Sequence, residues 1–258
     1  MTDRIDIEDI KRIARLAGDE ILAVYGTEFS VDVKDDKSPL TEADRRANTV
    51  IVEHLERLYP DIPIISEEMK ALDYSERKDW ERFWLVDPLD GTKEFVKRNG
   101  EFTVNIALIQ GQRPSAGVVF QPVGERLYWA SEGEGAWKTS EGGDPVRLEG
   151  GPHYSEKSDV VVVASRSHMT EDVERFVEGL KEQGKTVEFL SSGSSLKLCL
   201  VAEGAADVYP RLGPTMEWDT GAAHAVALEA GRRVIEAGTG EDLVYNKENL
   251  LNPYFMVE

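Results

Sequence analysis

The stretch 83-FWLVDPLDGT-92 joins a run of apolar residues to two carboxylates and a turn. Because proline lacks a backbone donor, Pro88 is expected to stop the strand ladder and to leave Asp87 at the exit of the strand. Gly91 has no side chain, so a ligand could approach the backbone there, and Thr92 could open a short helix. Two carboxylates beside free helix amides suit a metal-dependent phosphoryl-transfer site, and a strand, a turn and a helix cap without such a site are the less favoured alternative.

The composition is that of a globular chain with a strong acidic bias. The 258 residues include 49 Asp and Glu against 30 Lys and Arg, which gives a formal net charge of −19. This charge argues against binding to nucleic acid and to anionic membranes, but it permits a phosphorylated small substrate where cations line the site. We also expect no integral membrane segment, no secretory signal and a buried, unpaired Cys199, which together favour a cytoplasmic protein. Nothing in the sequence indicates an oligomer, although one is compatible with it.

Hydrophobic periodicity predicts helices followed by strands in the N-terminal part. Apolar residues at helical spacing predict helices over 6–25 and 41–59, with a polar loop over 31–39 between them. Short β-rich runs then follow, separated by Gly and Pro, and their hairpin-length connections predict a mainly antiparallel sheet. The predicted strands are 62–65, 83–86, 102–109, 117–120 and 126–130.

The C-terminal part has an alternating pattern that is typical of an α/β unit. The Gly-rich segment 140–152 is the best candidate boundary, and the valine run at 160–164 predicts a buried strand. We therefore predict an α+β metal-binding domain over 1–145 and an α/β domain over 146–258 that completes the site. The other elements predicted there are helices over 170–183, 194–202 and 219–230 and strands over 187–190, 207–209 and 233–235.

Further acidic residues lie where predicted elements begin or end. Glu67 closes a strand, Asp219 is placed to cap a helix, and Asp44 with Thr41 matches a capping box. Each of these residues taken singly has a structural explanation.

Together, the acids indicate a metal site. Bringing Glu67, Asp87, Asp90 and Asp219 into one cleft would cost several kcal/mol of repulsion unless divalent cations were present. A set of oxygen ligands without clustered Cys or His favours Mg²⁺ over zinc.

Several strings resemble a known family of enzymes. SEE at 66–68, WLVDPLDGT at 84–92 and EWDTGAAHA at 217–225 resemble the signature of the lithium-sensitive, magnesium-dependent phosphatases of the inositol monophosphatase-like superfamily. The strings that more specifically resemble its bacterial 3′(2′),5′-bisphosphate nucleotidases are DPLDGTKEFVKRNGEFTVNIALI from residue 87, SRSH from 165, GSSLKLCLVAEGAADVYPRLGPT from 193 and LLNP from 250. The resemblance spans nearly the whole chain, in matching order and spacing.

This resemblance implies an α/β fold of the sugar-phosphatase type, a layered αβαβα sandwich. It also implies hydrolysis of adenosine 3′,5′-bisphosphate to AMP and phosphate by metal-activated water, which would clear a by-product of sulfate assimilation. No covalent phosphoenzyme is expected. Relatives are reported at the cytoplasmic face of the membrane, so the implied location is the cytoplasm, with peripheral membrane association left open.

The resemblance also implies a role for each site residue. Two or three Mg²⁺ ions would be held by Glu67, Asp87, the backbone of Leu89, Asp90 and Asp219. Asp44 and Thr92 would orient the attacking water. The residues implied to contact substrate are Glu67, Leu89, Asp90, Gly91, Thr92, His168, Ser194, Lys197, Arg211 and Asp219.

Elementary chemistry supports the contacts to a second phosphate. Ser194 and Lys197 are three residues apart and would share a helix face near its N-terminus, where anions are favoured. Arg211 can make a forked contact to phosphate. A solvated lysine and a surface arginine are the alternatives.

Two other functions stay open at this point. The first is a phosphatase acting on inositol monophosphate or fructose 1,6-bisphosphate, against which the strings GSSLK and SRSH argue. The second is an inactive metal-binding protein that uses the fold for interaction, although every expected ligand type is present in the sequence.

Overall fold

In a computed structural model of the chain, residues 5–33, 39–70, 72–164 and 170–258 are described. The helices are α1 (Ile7–Tyr25), α2 (Glu42–Leu58), α3 (Tyr74–Arg77), α4 (Thr92–Val96), α5 (Glu171–Glu182), α6 (Leu196–Ala202) and α7 (Glu217–Glu229). The strands are β1 (Val31–Val33), β2 (Pro39–Thr41), β3 (Ile64–Ser66), β4 (Arg82–Asp90), β5 (Thr103–Gln110), β6 (Arg113–Gln121), β7 (Arg126–Ser131), β8 (Gly135–Thr139), β9 (Val146–Leu148), β10 (Asp159–Ala164), β11 (Thr186–Ser191), β12 (Tyr209–Arg211), β13 (Val234–Glu236) and β14 (Phe255–Val257).

One large sheet organises the molecule. Strands β3 to β9 follow one another across it in sequence order. Only the β3–β4 pair is parallel among these strands, and the rest are antiparallel, as the hairpin-length connections predict. Smaller sheets are formed by β10 with β11, by β12, β14 and β13, and by β1 with β2.

The large sheet is buried on both faces, and successive residues of β4 pack alternately into two different core clusters. Trp84 and Val86 pack in one core cluster with α1 and α2, whereas Phe83 and Leu85 pack in another with α6 and α7. Beyond α6 and α7 lie the smaller C-terminal sheets, and α5 packs against β11 and β12, with its Val177 in a core cluster that includes Val160 and Val162 of β10. The layers are thus αβαβα, and the predicted fold class is confirmed.

Helix α7 crosses the large sheet at very short range. A Cβ atom on Gly117 of β6 would lie 2.3 Å from the carbonyl oxygen of Ala222, so no larger residue fits at that position. Gly221 similarly faces Leu85 and Ala107. Small residues on both surfaces let α7 lie flat against the sheet, and this contact brings the start of α7 toward the end of β4.

The predicted end of β4 is wrong. The ladder between β4 and β5 pairs Asp87 with Asn105 and then resumes with Asp90 opposite Thr103, so the strand continues past Pro88. Pro88 removes one donor, but a bulge over two residues absorbs the loss and the pairing is re-established. Both carboxylates therefore belong to one strand, on either side of its bulge.

Two predicted helix starts are also corrected. Met216, not Asp219, is the N-cap residue of α7, and Asp219 occupies the third helical position, where its Oδ2 accepts a hydrogen bond from the Met216 amide at 2.9 Å. Helix α6 begins at Leu196, and Ser194 lies before it with a left-handed backbone (φ 56°). Ser194 and Lys197 therefore do not share a helix face.

Other differences concern short strands. The predicted loop over 31–39 contains β1 and part of β2, and β8, β9 and β14 were not predicted. Strand β12 runs over Tyr209–Arg211 rather than 207–209. Except for β8, these strands have only three residues, too few to show a period of two, so the sequence carries little signal for them.

The predicted division between residues 145 and 146 falls immediately before β9, which pairs with β8. The core cluster around α6 and α7 contains Leu85 and Tyr128 from one side of this division and Val226 and Phe255 from the other. The assignment of two domains stays a prediction.

Candidate active site

Three carboxylates converge at the end of β4. Glu67, Asp87 and Asp219 each offer one oxygen, and these three oxygens all lie within 4.8 Å of one another. We call this group the acid cluster. The three residues are separated by 20 and by 132 positions in the sequence, so only the tertiary structure brings them together.

Local structure explains why the first two acids meet. Strands β3 and β4 are parallel, and Ser66 pairs with Val86. The residues that follow this pair, Glu67 and Asp87, therefore lie side by side toward the carboxyl ends of the two strands. The Glu67 amide also donates to the Val86 carbonyl at 3.1 Å. Carboxyl ends of adjacent parallel strands are a usual place for ligand sites in α/β sheets.

The third acid is positioned by an anchored helix start. Glu217, the first residue of α7, is fully buried, and its carboxylate accepts from the Lys247 Nζ at 2.6 Å and from the Asn246 amide at 2.7 Å. Burial nonetheless raises the pKa of Glu217, with Lys247 opposing the shift. The ion pair holds the start of α7 in place, and Asp219 with it.

Burial and mutual repulsion make the acid cluster unfavourable without a counter-charge. Burial raises the pKa of Asp87 well above its usual value, and the charges of Glu67, Asp90, Asp219 and Asp44 add to the shift. The pKa of Asp219 is raised by burial and then by Asp90. Such a cluster binds either protons or cations.

Asp44 connects a helix cap to the site. Its Oδ2 accepts from the Thr41 amide at 2.7 Å and from the Thr41 hydroxyl at 2.6 Å, which completes the predicted capping box. Its Oδ1 accepts from the Thr92 hydroxyl at 3.3 Å. Asp44 therefore serves as a cap and also contacts Thr92.

Two adjoining cavities open on the acid cluster. The first, of about 460 Å³, is lined by all three acids, by Leu89 and by Thr92. The second, of about 260 Å³, is lined by polar and cationic residues of several elements. The residues that line both cavities are Asp90, Gly91, Lys93, Glu94, Tyr209, Arg211 and Asp219.

Lys97 and Lys197 line the second cavity but not the first, whereas Lys93 and Arg211 line both. Lys197 is 6% exposed and donates from Nζ to the Ser194 carbonyl at 2.6 Å. Burial lowers the pKa of Lys197 to about 8, although Asp90 opposes the shift. Arg211 donates to the Pro214 carbonyl, and its buried Nε has no hydrogen-bond partner within the described ranges.

Asp90 and Ser194 are directly connected. Asp90 lines both cavities, and its Oδ2 accepts from the Ser194 hydroxyl and the Ser195 amide, both at 2.6 Å. The Ser194 hydroxyl is thus engaged by Asp90. His168 lies outside the described residues.

Three buried polar residues around Asp90 were not singled out from the sequence. Thr103, Asn105 and Ser195 are each no more than 2% exposed and hydrogen-bond one another. A signal for two of them exists, because Thr103 and Asn105 are spaced by two in an otherwise apolar strand and so lie on the same face.

His224, by contrast, belongs to the core. It is 2% exposed, its Nδ1 is 2.9 Å from the Tyr245 hydroxyl, and burial lowers its pKa to about 3. A neutral, buried ring of this kind has no access to either cavity.

In the described part of the chain, no helix combines the length and the apolar character that crossing a membrane requires.

The layered fold and its acid cluster correspond to a known family. The sequence profile of the inositol monophosphatase family matches residues 4–254. The chain therefore belongs to the inositol monophosphatase family, and the predicted membership of this family of phosphatases is confirmed.

Individual relatives are more specific. The chain is 48% identical over 254 residues to 3′(2′),5′-bisphosphate nucleotidase CysQ of Salmonella typhimurium and equally to that of Escherichia coli, with 97% of this chain and 98% of each relative covered. The crystal structure of CysQ from Bacteroides thetaiotaomicron has a TM-score of 0.85 at 48% identity and covers 97% of this chain and 96% of its own. An IMPase of Thermotoga maritima has a TM-score of 0.76 at 24% identity, covering 98% and 92%, which is a likeness in fold.

Proposed function

We propose that this chain is a 3′(2′),5′-bisphosphate nucleotidase that hydrolyses adenosine 3′,5′-bisphosphate to AMP and phosphate with Mg²⁺. The observation that carries the proposal is the acid cluster beside a cavity that contains Lys197 and Arg211, with Asp90 and Asp219 lining both spaces. A substrate with two phosphates matches this division, because one phosphate needs cations among the acids and the other needs cationic side chains. The names of the curated relatives that match nearly the full chain support the same substrate class.

The donor set fits magnesium. Glu67, Asp87 and Asp219 supply carboxylate oxygens, and Asp90 and Leu89, whose backbone carbonyl is the proposed ligand, line the same cavity. Burial and the neighbouring carboxylates disfavour the negative charge of Asp87, and a bound divalent cation would neutralise this charge. When bound, the cation supplies Lewis-acid stabilisation of charge on the phosphoryl oxygens and activation of water.

The proposed role of Asp44 and Thr92 is to orient water. A Thr92 hydroxyl that donates its proton to Asp44 presents its oxygen as an acceptor toward the cavity. A water that donates to Thr92 is then held with its lone pair directed to the phosphorus, and its proton has a path to the Asp44 carboxylate. The amides of Gly91 and Thr92 remain the predicted contacts to the scissile phosphate.

Phosphate release from a substrate panel tests the proposal. With Mg²⁺ present, we expect rapid release from adenosine 3′,5′-bisphosphate, little from AMP, inositol 1-phosphate or fructose 1,6-bisphosphate, and none after chelation with EDTA. Faster hydrolysis of either sugar phosphate would favour the alternative phosphatases. Failure to release phosphate from any of the four would support an inactive metal-binding protein.

Replacing Arg211 by alanine should weaken recognition of the second phosphate. Charge-assisted hydrogen bonds contribute about 1.5–3 kcal/mol, so KM for the bisphosphate should rise about 10-fold to 150-fold. Hydrolysis of a monophosphate should not change. Arg57→Ala, at an exposed arginine of α2, is the control. Equal effects of Arg211→Ala on bisphosphate and monophosphate kinetics would refute this role.

Other parts of the proposal extend beyond the site. From the resemblance we propose that two or three ions bind and that His168 and Ser194 contact the nucleotide. We also propose from it that the enzyme clears a by-product of sulfate assimilation and is located in the cytoplasm. Metal titration by calorimetry would count the ions directly.

A further inference from the structure

A group of buried hydroxyl and amide side chains surrounds Asp90. The Thr103 and Ser194 hydroxyl oxygens are 2.6 Å apart, and those of Thr103 and Ser195 are 2.9 Å apart. Asn105 accepts through Oδ1 from the Ser195 hydroxyl at 2.8 Å and donates from Nδ2 to Asp90 Oδ2 at 3.4 Å. We call Thr103, Asn105, Ser194 and Ser195 the hydroxyl network. None of the roles proposed above uses Thr103, Asn105 or Ser195.

The direction of these hydrogen bonds follows from counting protons. Asp90 Oδ2 is an acceptor, so the single hydroxyl proton of Ser194 is directed to it. The Ser194 oxygen then accepts from Thr103, because this is the shortest contact of the Thr103 hydroxyl, at 2.6 Å against 2.9 Å to the Ser195 hydroxyl and 3.1 Å to Asn105 Oδ1. The Thr103 proton is therefore committed to Ser194. A polarised chain runs from Thr103 through Ser194 to the Asp90 carboxylate.

The network also holds a strained backbone. Ser194 has a φ of 56°, a left-handed conformation that a serine adopts at a cost and that persists only where surrounding contacts impose it. Gly193 fits so closely that a Cβ atom there would lie 2.8 Å from the Glu101 carbonyl oxygen. Asp90 accepts from the Ser194 hydroxyl on one side, and the Ser194 carbonyl accepts from Lys197 on the other.

Every hydrogen bond described at the Asp90 carboxylate goes to Oδ2. That oxygen takes the Ser194 hydroxyl, the Ser195 amide and the Asn105 amide. With these three donors on Oδ2, Oδ1 is the oxygen left to meet a cation. The carboxylate is thus held in one rotation before any cation binds, and a held ligand loses less conformational freedom on binding.

We propose that Thr103 is a positioning residue for Asp90. Its hydroxyl, acting through Ser194, keeps Oδ2 in the hydroxyl network and Oδ1 toward the cation. The Ser194 carbonyl also accepts from Lys197 Nζ. By holding Ser194, Thr103 therefore also fixes the position of the Lys197 ammonium group relative to the acid cluster. This inference rests on the proposed metal site.

Two substitutions at Thr103 separate its hydroxyl from its methyl group. Thr103→Val keeps the shape and removes the hydroxyl, whereas Thr103→Ser keeps the hydroxyl and removes the methyl. Partners that orient a metal ligand typically contribute 10-fold to 100-fold in metal affinity. We therefore expect the Kd for Mg²⁺, measured by calorimetry, to rise at least about 10-fold in Thr103→Val, whereas Thr103→Ser should stay within about threefold of the wild type.

The matched control is Thr139→Val. Thr139 is also a buried threonine of the large sheet, and its hydroxyl donates to the Gly143 carbonyl at 2.7 Å, far along the sheet from Asp90. Its Mg²⁺ affinity should equal that of the wild type. The Mg²⁺-induced rise in Tm gives a second readout that does not depend on turnover.

Each outcome decides the inference. Unchanged Mg²⁺ affinity in Thr103→Val, or equal losses in Thr103→Val and Thr103→Ser, would overturn the positioning role while leaving the proposed function intact. A wild-type protein that binds no Mg²⁺ would instead contradict the proposed metal site, and the inference with it. If Thr103→Val does not fold, Ser194→Ala removes the direct donor to Asp90, and we expect at least about a tenfold weaker affinity; unchanged affinity would again overturn the inference.

Discussion

Replacement of Asp87 by asparagine is expected to abolish Mg²⁺-dependent hydrolysis while making the metal-free protein more stable. Asp87 is 1% exposed and belongs to the acid cluster, and its side chain has nearly the shape of asparagine. Asparagine can still accept the hydrogen bond from the Leu89 amide, 3.0 Å from Asp87 Oδ1, so the bulge of β4 should persist. The change therefore removes the charge and little else.

The loss of activity should be large. A cation that loses a charged ligand stabilises the phosphoryl oxygens less, and this stabilisation contributes several kcal/mol. Because each 1.4 kcal/mol or so corresponds to a factor of ten, we expect kcat to fall about a thousandfold or more. Steady-state phosphate release at saturating Mg²⁺ measures it.

The stability should change in the opposite direction. Burial and the neighbouring carboxylates raise the pKa of Asp87 above its usual value of 3.8, so the folded metal-free chain binds more protons than the unfolded chain. Its free energy of unfolding therefore falls as pH rises from about 4 through the raised pKa. Asp87→Asn removes one such group, so its Tm in EDTA should decline less with pH and exceed that of the wild type at neutral pH. Relief of about 1 kcal/mol would raise Tm by about 2–4 °C.

Asp61→Asn is the matched control, since Asp61 is exposed and lies outside the acid cluster. It should change neither kcat nor the pH dependence of Tm. A lower Tm for metal-free Asp87→Asn at neutral pH, or wild-type turnover, would show that Asp87 is a structural residue and not a metal ligand.

Asp44→Asn is expected to reduce turnover strongly with a small effect on stability. The amide offers one acceptor oxygen instead of two, so it cannot accept from both Thr41 and Thr92 in the way that the carboxylate does. Loss of a group that orients and deprotonates water costs about 10²–10⁴ in rate. Because the amide oxygen of an asparagine at this third helical position can still accept from the Thr41 amide, Tm should fall by no more than a few degrees.

Asp6→Asn provides the comparison for Asp44. Asp6 is the N-cap of α1 and accepts from the Glu8 amide at 2.9 Å, so the same substitution changes a carboxylate that accepts from an amide at another helix start, away from the cavities. Asp6→Asn should show a similar small change in Tm with normal kcat. Wild-type kcat in folded Asp44→Asn would limit Asp44 to its capping role.

Much of the fold follows from local patterns. Apolar residues at helical spacing predicted α1, α2 and α5 within one or two residues, and β-rich runs separated by Gly and Pro predicted most of the large sheet. The errors occur where local patterns are weak or misleading. Strands of three residues show no period, and Pro88 gave a stop signal that the bulge of β4 overrides.

The site was predicted less completely than the fold. The acids were recognisable because several of them lie at the ends of predicted elements and because whole strings resembled a family. The hydroxyl network was not recognised, because serine and threonine are common on surfaces and no spacing in the sequence connects Thr103 with Ser194. The Asp90 carboxylate was assigned to a cation, yet the rotation of that group depends on residues about a hundred positions away.

Local sequence patterns are enough to predict which faces are apolar, where the longer helices and most strands of the large sheet lie, and which carboxylates lie near the ends of elements. The tertiary structure alone decided which of them meet. The parallel pairing of β3 with β4 brings Glu67 to Asp87, and the close contact of α7 with Gly117 brings Asp219 to both. The physical reason is that periodicity records the burial of each element separately, whereas the distances between elements depend on how their surfaces pack.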